Sequence, residues 1–429
     1  MTSSQIIERL NQALIADNRE KVQGIISDIS HIKGKNSRGL MQCSANSSIV
    51  EYAIQKNQPE LLSILPYIPP ESAKDLVSQI LQQCILTGDR RWLHALVKIL
   101  DRLEKKSLQS QLIAKMVQSL ISSGISQSEP AYIAQGLEFI PRISFRKYRS
   151  DCIIKCVPPL TVWATAHDDL AVLYRVYALL DDITDASKRT LLSSDVAQAL
   201  AAVAVRKNEF PHFLESIRIA AGIPQNLKRK EGIRYCIGIG VNSGFRADLL
   251  SVTAFIRNFP SLSREVRNDL IGALTEQLLI LEKDKNLVTT TLTAVYREQP
   301  STKSIVIQNL LSEAEHSGNP WYLAEAIRYI QALPEKEKYP VREIVRSAIA
   351  VARHTRSISV LLNLIPVLER KYNLEKVPGV YLQLSQAVLL LGDFENAVLI
   401  FKKSTPLAEN AHQYSSCLLK LTVEYVLQD

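Results

Sequence analysis

Apolar and polar positions along this chain follow the period of an α-helix, in paired runs separated by turn-forming residues. The clearest pair spans residues 380–404. Tyr381, Leu384, Val388 and Leu391 recur at steps of three and four, which places them on one face of a first helix. Gly392 adopts without a side-chain clash the positive φ that ends such a helix. Asp393 follows where its carboxylate caps the next helix. Ala397, Ile400 and Phe401 form the buried stripe of that second helix.

This stretch resembles a tetratricopeptide repeat. The large, Leu, small and large residues of the family's first helix fall on Tyr381, Leu384, Ser385 and Val388. Ala397 and Phe401 take the small and aromatic places of its second helix, with Gly392-Asp393 between. Ser385 replaces the usual Gly, and Glu409 stands near the place of a closing Pro, with Pro406 close by. The match covers one hairpin of a 429-residue chain, so it implies the helical-repeat superfamily better than the family.

The rest of the chain repeats this plan. After a first hairpin turning at Asp17-Asn18, turns are expected near Asn57, Gly88, Gly124, His167, Asn208, Ser243, Asp284, Gly318, Thr355 and Gly392. Their mean spacing is about 37 residues, between the tetratricopeptide period of about 34 and the HEAT period of about 40 or more. Pro69, Pro141, Pro224, Pro260, Pro300, Pro334 and Pro406 stand where second helices should stop, because proline lacks an amide donor and clashes with the preceding turn. Residues 31–46, with Lys33-Gly34-Lys35-Asn36-Ser37-Arg38-Gly39, are expected to form a mobile, solvated loop; their glycines lack the spacing that wraps nucleotide phosphates. Residues 235–244 and 287–296 have strand propensity but no sheet to join, so both are expected to be helical. Residues 411–427 form a terminal amphipathic helix.

Composition agrees. Hydrophobic residues are 46% and aromatics only 6%, which suits thin aliphatic layers. No apolar run approaches the roughly 20 residues that span a bilayer. Met1 begins a segment carrying Glu8 and no apolar signal core, so a soluble, cytoplasmic protein is expected. The six cysteines include no Cys-x-x-Cys pair. Cys152 and Cys156 share a helix face among Ile153, Ile154 and Val157 and read as buried small residues.

Candidate chemistry is sparse. The seven histidines are spread one to a unit, and stacked hairpins keep equivalent turns roughly 10 Å apart, so no metal site is expected. Asp168, Asp169, Asp181, Asp182 and Asp185 bracket one helix, where caps and dipole partners explain them better than acid–base catalysis. No catalytic motif or cofactor fingerprint appears, and an enzyme is not expected. The net charge of +8 is spread along the chain. Two basic clusters stand out: Arg142, Arg146, Lys147 and Arg149 around Phe145 and Tyr148, and Lys228, Arg229 and Lys230 beside Arg234 and Tyr235. Cations among aromatics grip phosphates, or meet an acidic peptide. A base-by-base code would need equivalent polar positions in every unit, and the units share apolar positions only.

The sequence therefore describes an all-α chain, a single right-handed α-solenoid over residues 1–429 of about eleven stacked helical hairpins with a C-terminal capping helix. It is expected to be a scaffold that binds a peptide, helix or subunit on a concave surface. The alternative is a nucleic-acid-binding repeat protein that uses the two basic clusters.

Overall fold

Left-handed backbone at short polar turns divides the chain into helix pairs. Asn57 (φ 51°), Gly88 (66°), Asn208 (57°), Gly318 (66°) and Gly392 (89°) each close one helix, and a capping side chain then often opens the next. Asp89 accepts from the Arg91 amide, Asn319 from Trp321 and Asp393 from Asn396. The computed structural model describes residues 3–65, 67–298, 302–334, 337–372, 374, 377, 379–404 and 411–428. Among them every regular element is helical, with no strand, and no helix is long and apolar enough to cross a membrane.

The chain divides into two compact units, Met1–Arg229 and Lys230–Asp429. In the first, α1 (Ser3–Ile15) pairs with α2 (Arg19–Ser30), and α3 (Lys35–Lys56) with a 3-10 turn, Pro59–Ile64. Then α4 (Pro70–Thr87) pairs with α5 (Arg90–Asp101), and α6 (Lys106–Ser126) with α7 (Pro130–Phe139). Last come α8 (Arg146–Ala166) with α9 (Leu170–Leu179), and α10 (Ala186–Lys207) with α11 (Phe210–Ala221). The first helices α1, α3, α4, α6, α8 and α10 each lie against the next.

The division falls inside α12 (Asn226–Val241), which leads to two short helices, α13 (Arg246–Leu250) and α14 (Val252–Ile256). In the second unit α15 (Arg264–Leu281) precedes α16 (Lys285–Glu298), and α17 (Lys303–Ser317) pairs with α18 (Pro320–Gln331). There follow α19 (Val341–Thr355) with α20 (Ser359–Lys371), and α21 (Val380–Leu390) with α22 (Phe394–Lys402). Helix α23 (Ala411–Gln428) lies on both members of that last pair. Here too α15, α17, α19, α21 and α23 contact one another in series.

Position in the stack explains composition. A first helix is flanked by two neighbours and its own partner, so α10 buries Val196, Ala197, Leu200, Ala201, Val203 and Ala204 around most of its girth. A second helix has an open side, and α5 accordingly buries one stripe, Trp92, Leu93, Leu96, Ile99 and Leu100.

The register within the first unit is stricter than the average turn spacing suggests. Helices α6, α8, α10 and α12 begin at Lys106, Arg146, Ala186 and Asn226, and the turns at Gly88, Ser128, Asp168 and Asn208 all have positive φ, so both markers recur every 40 residues. The turn geometry recurs too: the amides of Glu129, Asp169 and Glu209 each donate at 2.8 Å to the carbonyls of Gly124, Ala164 and Ala204. Polar positions share the register, with Ser110, Ser150 and Thr190 buried in turn. This corrects the expectation that the units share only apolar positions.

Other expectations change. Residues 31–46 are not a loop beyond Gly34: α3 starts at Lys35, because Met41, Ala45, Asn46 and Ile49 make a buried helical face despite their polar neighbours. Gly124 lies inside α6, not at the turn; a Cβ there would sit 2.8 Å from Ile133 Cγ1, so the glycine lets α6 and α7 approach closely. Residues 249–259 do not form one continuous helix, because the run is broken at Ser251. Pro158 and Pro159 lie inside α8 on its exposed side, depriving two carbonyls one turn earlier of their helical donors. The expected strand-prone segments are helical, in α12 and α16. Pro300, Pro406 and Glu409 lie outside the described residues.

Candidate interaction surfaces

The two basic clusters lie at helix starts. Arg146, Lys147 and Arg149 open α8, with Phe145 as the preceding cap residue, and Lys228, Arg229 and Lys230 lie in the first turns of α12. Their chemistry is divided. Arg149 is paired with Asp182 at 2.9 Å, and Lys230 lies 3.6 Å from Asp269. Arg229 is only 6% exposed and donates to Asn226 Oδ1 at 3.2 Å. Arg142 pairs with Asp101 at 3.4 Å, and Arg234 with Glu276 at 2.7 Å. Arg146 and Lys147 project into solvent, with the Phe145 and Tyr148 rings 6.3 Å apart beside them. The structure thus does not leave all the nominated cations available, because acids more than thirty residues away in sequence fold back onto Arg149 and Lys230.

Grooves open on other faces. In the second unit a cavity of about 420 Å³ lies between α19 and α21, lined by Arg342, Arg346, Arg353, Ile349, Ala350 and Gln383. Glu343 also borders it and accepts a hydrogen bond from Tyr339 at 2.8 Å. Burial and that carboxylate push the Tyr339 phenol well above its ordinary range. Arg346 Nε reaches Glu315 at 3.1 Å, whereas Arg353 makes no ion pair among the described residues. The spacing 342, 346, 349, 350, 353 is a helical stripe visible in the sequence, but only the packing of α17 and α21 shows it is an outer one.

In the first unit a smaller cavity, about 230 Å³, has Leu62, Ala95 and Ile99 on its wall and Arg91, His94, Lys98 and Arg102 around it. Arg91 is held by Asp89 at 2.7 Å and Glu60 at 3.2 Å, and Arg102 donates to the Ser63 carbonyl at 3.3 Å. A third opening, near Glu369, is braced. Lys403 and Tyr381 both donate to Glu369 at 2.8 Å, and the lysine holds its carboxyl below the usual range.

Reactive side chains do not assemble around these grooves. His212 Nδ1 lies 2.7 Å from the Tyr174 hydroxyl, while its Nε2 lies 3.2 Å from Glu209. Burial, then Glu215 and Glu209, push the Tyr174 phenol up, so this chain of contacts joins α9 to α11 without activating a nucleophile. Cys152 and Cys156 are buried with sulfurs 4.0 Å apart. Among the described residues no three of His, Cys, Asp and Glu converge as a metal site. Asp168 pairs with Arg206, Asp169 caps α9 and Asp185 caps α10, so these acids have structural partners.

The arrangement defines an all-helical protein of serially stacked helix pairs. No family model matches the chain, and no curated protein matches it. Among solved structures it is similar to a circular tandem repeat protein with novel repeat topology and enhanced subunit contact surfaces. That likeness has 13% identity over 98% of this chain and 97% of that one, with a TM-score of 0.23.

Proposed function

We propose that the chain is a protein-interaction scaffold: a right-handed α-solenoid of about eleven hairpins, of tetratricopeptide or HEAT type, closed by α23 and working in the cytoplasm. The serial contacts of first helices within each unit support the repeat reading, and the six free cysteines support a reducing compartment. The observation that carries the function is the groove between α19 and α21. Its apolar wall, Ile349 and Ala350, accepts a side chain, while Gln383, Arg346 and Arg353 offer donors to main-chain carbonyls and carboxylates. A polypeptide segment with an acidic residue beside an apolar one fits that chemistry.

Peptide display against the purified chain tests it. Peptides of that pattern should be enriched and should bind Ile349→Asp and Arg353→Glu variants at least tenfold more weakly. Absence of enrichment, or binding unchanged in both variants, would reject the groove as the receiving site.

A further inference from the structure

Four consecutive first helices open with cations and carry no acid in the first turn. Helix α6 opens with Lys106, α8 with Arg146, Lys147 and Arg149, α10 with Lys188 and Arg189, and α12 with Lys228 and Arg229. This runs against local electrostatics, because the amino end of a helix carries partial positive charge and favours acids. The second helices follow the rule: Asp89, Glu129, Asp169 and Glu209 stand immediately before α5, α7, α9 and α11. One 40-residue register therefore sets an acid just before each of these second helices and cations in the first turn of each of these first helices.

The basic ends of α6, α8 and α10 are neighbours in space. Ser110 of α6 bonds Ser144 and the Phe145 amide just before α8, and Ser150 of α8 bonds Thr184 just before α10. Three acids on this edge are already engaged, Asp101 with Arg142, Asp182 with Arg149 and Asp185 as the cap of α10. Arg146, Lys147 and Lys188 are exposed and make no ion pair among the described residues. Cations set against the helix field and left without an ion pair, as Arg146, Lys147 and Lys188 are among the described residues, mark a surface kept for a ligand. Phe145 is 45% exposed beside them, and the positions equivalent to it in the register, Lys105, Asp185 and Gln225, carry no ring. An open ring among cations suits an unpaired base better than a duplex or a carboxylate.

We propose that this edge of the first unit binds single-stranded nucleic acid, its phosphates on Arg146, Lys147, Lys188 and the neighbouring cations, and a base on Phe145. The edge is separate from the α19–α21 groove, so either can fail without the other.

The test is fluorescence anisotropy of the full chain with a labelled mixed-sequence 20-mer, single-stranded and as a duplex, across a salt series. With about four phosphates neutralised, the logarithmic salt slope should be about −3 for the single strand. Lys147→Glu/Lys188→Glu should weaken binding more than tenfold. Its melting temperature should stay level or rise, since glutamates suit helix starts, so lost binding is not unfolding. Arg90→Glu/Lys207→Glu, at the turns between paired helices, should change binding less than twofold. Phe145→Ala should weaken the single strand severalfold. Equal loss in both charge variants, duplex binding as tight as the single strand, or displacement by poly-glutamate at equal charge would overturn the proposal.

Discussion

Ser150 Oγ lies 3.2 Å from Thr184 Oγ1 and accepts the Thr184 amide at 3.1 Å, and 40 residues earlier Ser110 holds Ser144 and the Phe145 amide in the same way. Both serines are buried, at 2% and 0% exposure, and each hydroxyl accepts a main-chain amide in a part-buried bond. Ser150→Ala should cost about 1 kcal/mol, the net worth of a typical intramolecular hydrogen bond. Chemical denaturation of the full chain measures it. Ser110→Ala and Ser110→Ala/Ser144→Ala should cost nearly the same, because the first substitution already removes the shared bond.

Gly318 and Gly392 both have positive φ, 66° and 89°, but different surroundings. A Cβ on Gly318 would sit 2.5 Å from His354 Cβ, while nothing lies within 4 Å of one on Gly392. Gly392→Ala should therefore cost only the backbone strain, about 1 kcal/mol. Gly318→Ala should cost at least twice that, and melting temperatures should rank the two variants in that order.

These same turns show what local chemistry writes plainly. Gly392-Asp393 is legible because a left-handed residue followed by a capping acid needs only its own neighbours, Gly88-Asp89 reads the same way, and Asn57 and Asn208 are legible as left-handed turn residues. Gly124 was misread, since its reason for being glycine is Ile133 on another helix. Residues 35–46 looked like a loop because their buried face is made of small and polar side chains, Asn46 among them. Arg149 and Lys230 looked available because Asp182 and Asp269 are distant in sequence. The 40-residue register was hidden by identity changes, such as Ser128, Asp168 and Asn208 sharing one backbone role.

Trp92 is fully buried, and its indole donates to Asn57 Oδ1 at 3.0 Å, joining α5 to the end of α3. Trp92→Ala should cost about 3–5 kcal/mol. Asn57→Gly keeps the left-handed turn but strands the indole donor, so it should cost about 1–3 kcal/mol despite relieving backbone strain. Denaturation midpoints with an unchanged slope would establish both.

Alkaline pH should loosen the first unit through Cys84. Burial, reinforced by the Asp89 carboxylate, pushes its thiol up to about 11. Unfolded, the thiol ionises near its ordinary value of about 8.5, so above that pH the unfolded chain binds fewer protons than the folded one. The stabilisation is complete below about pH 8.5 and is lost as pH rises through about 11. Urea midpoints between pH 8 and 11 should fall more steeply for the parent than for Cys84→Ala; equal slopes would assign the decline to other groups.

The double proline in α8 and the uniform spacing around it have a consequence for how such a chain lengthens or shortens. Because Arg146 and Ala186 are equivalent starting points, excising residues 146–185 joins Phe145 to Ala186 with every remaining turn still in phase. Ser110 keeps its bond to Ser144 and Phe145, and the helix interrupted by Pro158 and Pro159 departs whole. Duplication or loss of one such module should therefore change the length of the basic edge by one step while leaving the remaining turns in phase.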